Sequence, residues 1–368
     1  MATPQKLRIL QMTHQGDIGG STNSITYLTD GLARRGHDVF LCCRPESLLH
    51  ARFSGHELVR LVPFHFGRSP LAFGKSRSLA QIARRLRIDV LNAHASLDRH
   101  LTIQARHLFR GSFHLVHTRR NVPLSSGGKL QGRYYGAFTD KIIAVSGRVA
   151  EGMIAGGVRA DRIAVVHNGI PLARYDHIPD EKVDAAREAL ALPPGLPVVG
   201  VVARKKSHAE LLRAMAKVPH DAVLLFLGID RDEELEELRR SLGLRHPVVY
   251  GGFREDVLPF YRLLSIFVLP SLIEGFSLSI LEAMALGLPV VCTDAGGNAE
   301  AVRDGSNGFL YDPGDTGALA EKVSLLLADK ELRRTVGERN RREAFDRFDV
   351  ERTIDKTEEV YLSLPARR

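Results

Sequence analysis

The 368-residue chain has only three cysteines, Cys42, Cys43 and Cys292. They form no Cys-x-x-Cys pair and no cysteine–histidine cluster, which excludes a zinc site and a disulfide framework. They read as reduced core thiols of a cytoplasmic protein. No apolar run approaches the roughly 20 residues that a membrane-spanning helix needs. The first residues lack the apolar core of a secretory signal. The one Asp-x-Asp spacing, Asp230-Arg-Asp232, opens an acidic helical stretch rather than a ligand site, so no metal is expected. Gly16-Asp-Ile-Gly19 has the wrong spacing for the dinucleotide fingerprint G-x-G-x-x-G. No nucleic-acid module is present and aromatics do not interleave with basic residues, which excludes nucleic acid as a partner.

What is present is an ordinary globular apolar share, 44%, on a length that suits two α/β domains. The net charge of +8 hides an asymmetry. Residues 1–172 carry 24 Lys+Arg against 10 Asp+Glu, and residues 173–368 carry 27 against 33. A basic half joined to a mildly acidic one points to an anionic partner for the first half, either an anionic membrane surface or an anionic acceptor. Arg119 and Arg120, at the end of a strand, are candidates for that contact; the alternative is a solvated turn. Arg77, Arg84, Arg85 and Arg87 share a helix with Leu79, Ile82 and Leu86. This basic amphipathic helix has two readings, a contact with the anionic membrane surface and, preferred for its apolar stripe, burial in its own domain.

Apolar runs at 7–12, 39–43, 89–93, 113–117 and 141–145 read as strands of the first half. Those at 197–202, 223–227, 248–250, 266–269 and 290–292 read as strands of the second. Helical patterns alternate with them, which implies parallel sheets covered on both faces. After the first strand, Gly16, Gly19 and Gly20 form a loop. Ser21 or Thr22 is expected to cap a helix that carries Ile25, Leu28 and Leu32 and ends at Gly36. Prolines 171, 179, 193, 194 and 197 mark a linker, so the domains are expected at 1–172 and 173–349. The final stretch, 350–364, reads as a helix.

The most informative segment is Glu274-Gly-Phe-Ser-Leu-Ser-Ile-Leu-Glu282. It follows the strand at 266–269 and runs into a helix, the edge at which open α/β sheets bind ligands. Free N–H groups at a helix start favour a phosphate. A carboxylate on either side of that site can accept hydrogen bonds from sugar hydroxyls. The pattern points to a nucleotide sugar.

This segment resembles the E-x7-E motif of retaining glycosyltransferase family 4. So, in the same order, do Ile143-Ala-Val-Ser-Gly-Arg148, Val165-Val-His-Asn-Gly-Ile170, Gly251-Gly-Phe-Arg-Glu-Asp256, Val290 to Glu300, and Gly305-Ser-Asn-Gly-Phe-Leu310. The resemblance implies the GT-B fold: two Rossmann-like parallel-sheet α/β domains with a deep cleft between them, the last helix (350–368) packing back on the first. It implies a metal-independent, retaining transfer of a sugar from a nucleotide-diphosphate sugar, UDP- or GDP-linked, to a glycan or glycolipid acceptor. No further cofactor is implied. Family habit adds bacterial envelope polysaccharide or lipopolysaccharide synthesis, at the inner face of the cytoplasmic membrane.

By the same resemblance Glu282 binds the ribose and Glu274 the transferred sugar. The Phe276-Ser277-Leu278 backbone meets the diphosphate, and Gly19 and Gly20 border it. Arg254 joins the donor set. Arg204 and Lys206 stabilise the leaving diphosphate, although the loop holding them is shorter than usual, which leaves Lys205 as the alternative to Lys206. His94, at the end of a strand, is placed near the transferred sugar. The competing readings are a nucleotide-sugar epimerase of the same fold and a catalytically silent nucleotide-sugar-binding protein.

Overall fold

The computed structural model describes residues 5–67, 72–121 and 128–365. The chain divides into two compact units, Met1–Gly169 with Val350–Arg368, and Ile170–Asp349.

Among its described residues unit 1 holds seven strands: β1 (Arg8–Met12), β2 (Asp38–Cys43), β3 (Val59–Pro63), β4 (Val90–Ala93), β5 (His114–Arg119), β6 (Lys141–Ala144) and β7 (Ile163–Val165). Their order is β3-β2-β1-β4-β5-β6-β7, and every pairing is parallel. Side-chain alternation feeds two cores. Ile9, Val39, Leu41, Val90 and Val116 face one side, and Leu10, Phe40, Leu91 and Leu115 face the other. Adjacent Cys42 and Cys43 therefore bury on opposite faces, both as free thiols. The short strands β3 and β7 were not expected from the sequence, because neither Val59–Pro63 nor Ile163–Val165 makes a long apolar run.

The expected cap at Ser21 or Thr22 is not found. The helix is Gly20–Arg34 and Gly19 is its N-cap. The Thr22 hydroxyl instead bonds back to the Asp17 carbonyl, which closes the preceding loop. The helix Phe73–Arg85 buries Ser76, Leu79, Ala80 and Ala83 and leaves Arg77, Arg84 and Arg85 exposed, as an amphipathic helix should.

The C-terminal helix Val350–Leu362 belongs to unit 1 and lies against the Gly20–Arg34 helix. Gly31 makes that approach possible: a Cβ there would stand 2.2 Å from the Ile354 Cδ1. Arg35 clamps the contact by pairing with Glu351, Asp355 and Glu358. His37 adds a bond of 2.8 Å to Glu358.

Unit 2 repeats the scheme with six strands: β8 (Val198–Val202), β9 (Val223–Leu227), β10 (Val248–Gly252), β11 (Ile266–Leu269), β12 (Val290–Thr293) and β13 (Phe309–Tyr311). The order β10-β9-β8-β11-β12-β13 is again wholly parallel. Both units are thus Rossmann-like doubly wound sheets. Each sheet gathers the loops at the carboxyl ends of its central strands. In unit 2 these follow β8, β11 and β12; in unit 1 they follow β1, β4 and β5. Among the described residues no helix is long and apolar enough to cross a membrane.

Candidate active site

The loop after β11 carries Glu274, and the helix Leu278–Ala285 that follows carries Glu282 on its second turn. Both carboxylates are nearly inaccessible, at 9% and 8% exposure. Burying an acid is unfavourable unless it is partnered. Glu274 has its partner in Lys206, from the loop after the neighbouring strand β8. Lys205 turns the other way, to Asp232 at 2.5 Å and Glu234 at 2.7 Å. Of the two lysines, Lys206 is thus the one that stands at the acidic motif. Arg204 is exposed in the same loop and makes no ion pair among the described residues.

A glycine holds the Glu274 loop down. Gly296, after β12, has φ +56°, and a Cβ there would lie 1.8 Å from the Glu274 carbonyl oxygen. The next residue, Gly297, donates its N–H to the Gly275 carbonyl at 2.9 Å. Only a glycine combines that backbone conformation with that approach. The loops after β8, β11 and β12 are thus joined around Glu274.

Glu282 is partnered differently. The Tyr261 hydroxyl donates to its Oε2 at 3.0 Å, and Tyr175 and Arg174 lie beside it. Burial nonetheless dominates and pushes its pKa from 4.5 to about 7. Its carboxyl is therefore poised to change protonation near neutral pH.

The helix start between the two acids has Ser277 as its N-cap, and no side chain caps the helix. The Ser277 and Ser279 hydroxyls bond each other at 3.0 Å. The first-turn N–H groups have no acceptor inside the helix. Phe276 and Leu278 are buried, and the Phe276 ring stands edge-on to Phe348 with centroids 5.5 Å apart. Arg254 follows β10, which β9 and β8 separate from β11. Its Nε bonds the Gly251 carbonyl at 2.9 Å and its guanidinium lies 5.4 Å from the Phe260 centroid. No described contact joins it to Glu274 or Glu282.

In unit 1, His94 sits just beyond β4 and donates its backbone N–H to the Met12 carbonyl at the end of β1. The Gly19–Gly20 turn follows that same strand. Arg120 donates to His94 Nδ1 at 3.2 Å, which leaves Nε2–H to donate to Gln11 Oε1 at 2.7 Å. Burial and the Arg120 charge hold the imidazole neutral, its pKa well below the usual value. The Gln11 amide donates to the Tyr361 hydroxyl at 3.2 Å, and Asn92 donates to the same hydroxyl at 2.8 Å. The C-terminal helix therefore reaches the underside of His94.

Arg120 is not placed for a membrane. It bonds Ser24 Oγ at 2.7 Å and Asn168 Oδ1 at 3.3 Å, and burial lowers its pKa to about 10. A guanidinium engaged on three sides inside its unit cannot act as a surface lipid contact, which corrects that expectation. Arg119 is half-buried; its Nε bonds the Asn121 carbonyl at 3.1 Å.

Several residues of these networks were not read from the sequence. Gln11 and Asn92 left a signal, as polar residues within otherwise apolar strands. Asp98 did not. It is fully buried and receives both the backbone N–H and the Nδ1 of His14 at 2.9 Å, tying the loop after β1 to the helix Ser96–His107. Tyr261 and Tyr361 left none either.

Comparison with known proteins places this arrangement in context. Residues 184–343 match the family model of glycosyl transferases group 1, and residues 18–174 match that of glycosyltransferase family 4. The lipopolysaccharide core biosynthesis glycosyltransferase LpsE of Rhizobium meliloti is 28% identical over 96% of this chain and 98% of its own length. N-acetyl-alpha-D-glucosaminyl L-malate synthase of Bacillus anthracis is 26% identical over 98% and 97%. The crystal structure of Anabaena HepE with UDP and glucose superposes with a TM-score of 0.85 over 97% of this chain and 100% of that one, at 23% identity.

Proposed function

This chain is a glycosyltransferase of family 4 with the GT-B fold, and we propose that it transfers a sugar, with retention, from a UDP- or GDP-sugar to an acceptor hydroxyl. The observation that carries this reading is the buried Glu274 carboxylate paired with Lys206 and locked by Gly296 beside an uncapped helix start, with Glu282 on that helix. A helix start offers N–H donors and a positive dipole end to a diphosphate. Lys206 and Arg204 bring cationic charge to the same edge, where the charge of a leaving nucleoside diphosphate develops. On this reading no metal is required.

Glu282 accepts hydrogen bonds from the ribose hydroxyls. Glu274, held by Lys206, accepts from hydroxyls of the transferred sugar. His94 is neutral and places no charge near the anomeric carbon; it meets that sugar by exchanging its bond to Arg120 or Gln11 for one to a sugar hydroxyl. No carboxylate is assigned as a nucleophile. The departing phosphate oxygen takes the acceptor's proton as the new glycosidic bond forms and the donor's anomeric C–O bond breaks. HepE with UDP and glucose supports a UDP-sugar donor, and the LpsE relative supports a lipopolysaccharide-type glycan or glycolipid acceptor. The excess of basic residues in 1–172 supports work at the cytoplasmic face of an anionic membrane.

A panel of UDP-, GDP- and ADP-sugars is first screened for thermal stabilisation, since a bound donor raises stability with its affinity. The stabilising donor is then turned over with and without glycan acceptors, in EDTA and with added Mn²⁺. Acceptor-dependent release of nucleoside diphosphate, unchanged by EDTA, is expected. Conversion of the donor without an acceptor would favour the epimerase, and loss of activity in EDTA would refute the role given to Arg204 and Lys206.

A further inference from the structure

Unit 1 contains a second charged cluster, on the same sheet edge as His94 but outside its network. Arg119 ends β5, and Arg99 lies in the first turns of the helix that follows the adjacent strand β4. Both face Tyr135. The Arg99 guanidinium stands 4.5 Å from its ring centroid, and the charge of Arg119 is felt at the same hydroxyl. That hydroxyl is bonded to His100 Nε2 at 2.8 Å.

Neither arginine makes an ion pair among the described residues. Asp98, beside Arg99 in sequence, has both oxygens engaged by His14 and the Ala95 N–H. Asp140 serves Arg106 and the Leu115 N–H. The Arg99 Nε is buried with no hydrogen-bond partner among the described residues. Burial, and then the charge of Arg99, brings the Arg119 pKa down to about 10. Asp98 acts on Arg99 through space only, and two half-buried like charges with no ion pair among the described residues are an unfavourable arrangement in isolation, to which an orphaned buried N–H adds.

We infer that Arg99 and Arg119 form an anion subsite for a phosphate monoester carried by the acceptor. A phosphate monoester brings about −1.5 to −2 charges at pH 7. That matches two guanidiniums, whose forked donors suit its oxygens. A carboxylate would leave one charge uncompensated. The inference rests on the reading of this chain as a transferase whose acceptor binds unit 1.

The test uses the whole chain saturated with UDP, so that the donor site is filled, and titrates inorganic phosphate at constant ionic strength against chloride. Saturable stabilisation and calorimetric binding are expected. Arg99→Gln or Arg119→Gln should weaken phosphate about tenfold or more, the effect of losing one charge-assisted hydrogen bond, and should leave UDP binding unchanged. If the glutamine variants also lose UDP binding, Arg99→Lys and Arg119→Lys decide. Their ammonium lacks the fork, and phosphate should weaken about threefold or more. Vesicles containing phosphatidic acid, compared with phosphatidylcholine, then identify the source. Binding lost in the double variant assigns a lipid phosphate, and binding of soluble phosphate alone assigns a phosphorylated glycan. Absence of phosphate binding, or equal binding by the double glutamine variant, overturns the subsite. Absence of UDP binding by the unaltered protein would instead overturn the proposed donor.

Discussion

Glu282 is destabilising where it stands, and that follows from its surroundings. The rise of its pKa from 4.5 to about 7, at 1.36 kcal/mol per pH unit, corresponds to an upper bound of about 3 kcal/mol. The sign is that of an acid whose folded pKa is raised. Its contribution to stability is fully present below pH 4.5 and is lost as pH rises through about 7. Glu282→Gln keeps an acceptor for the Tyr261 hydroxyl and carries no charge. The free protein should therefore be more stable as Glu282→Gln than unaltered at pH 8, and equal to it near pH 4.5, by chemical denaturation. Ligand binding should show the opposite preference. Ribose hydroxyls donate best to the carboxylate, and each charged hydrogen bond is worth about 1.5–3 kcal/mol. Two such bonds should lower the bound-state pKa by about two units or more. UDP-glucose affinity, the ligand's own phosphates having no ionisation in this range, should fall about 100-fold from pH 8 to pH 5. Calorimetry in buffers of different ionisation enthalpy should detect proton release at pH 7. Glu282→Gln should bind weakly and without pH dependence. A flat affinity profile in the unaltered protein, or a variant less stable at pH 8, would refute the assignment of this carboxyl to the ribose.

Two further outcomes follow from the packing. Gly296→Ala places a methyl on the Glu274 carbonyl at a backbone angle that disfavours side chains. It should cost about 1–3 kcal/mol or more and should lower turnover with it, read by thermal melting and by donor turnover. Tyr361→Phe removes the oxygen that accepts from both Gln11 and Asn92. Leaving those donors unmet should cost about 1–3 kcal/mol. Turnover should fall while UDP affinity is unchanged, since the bonds lost orient His94 in unit 1.

Much of this protein was determined locally and could be read along the chain. Strands β9 and β11 coincide with their apolar runs, because a strand covered on both faces must be apolar throughout. The motif from Glu274 to Glu282 is equally local, a loop and two helical turns, so its place at a sheet edge followed from the pattern of one strand and one helix. The tertiary structure decided which neighbour each polar group meets. Lys205 and Lys206 are adjacent in sequence, yet one faces the acidic start of the helix Glu233–Ser241 and the other faces Glu274, because β8 is laid beside β11. Arg119 and Arg120 form one basic turn on paper. Successive residues at a strand end point to opposite sides, so Arg120 enters the His94 network and Arg119 stays with Arg99. Gln11 and Tyr361 are 350 positions apart and meet only because the last helix returns to unit 1. Nothing short-ranged encodes such a pairing; the burial of Ile354 against Gly31 and the Arg35 clamp bring it about.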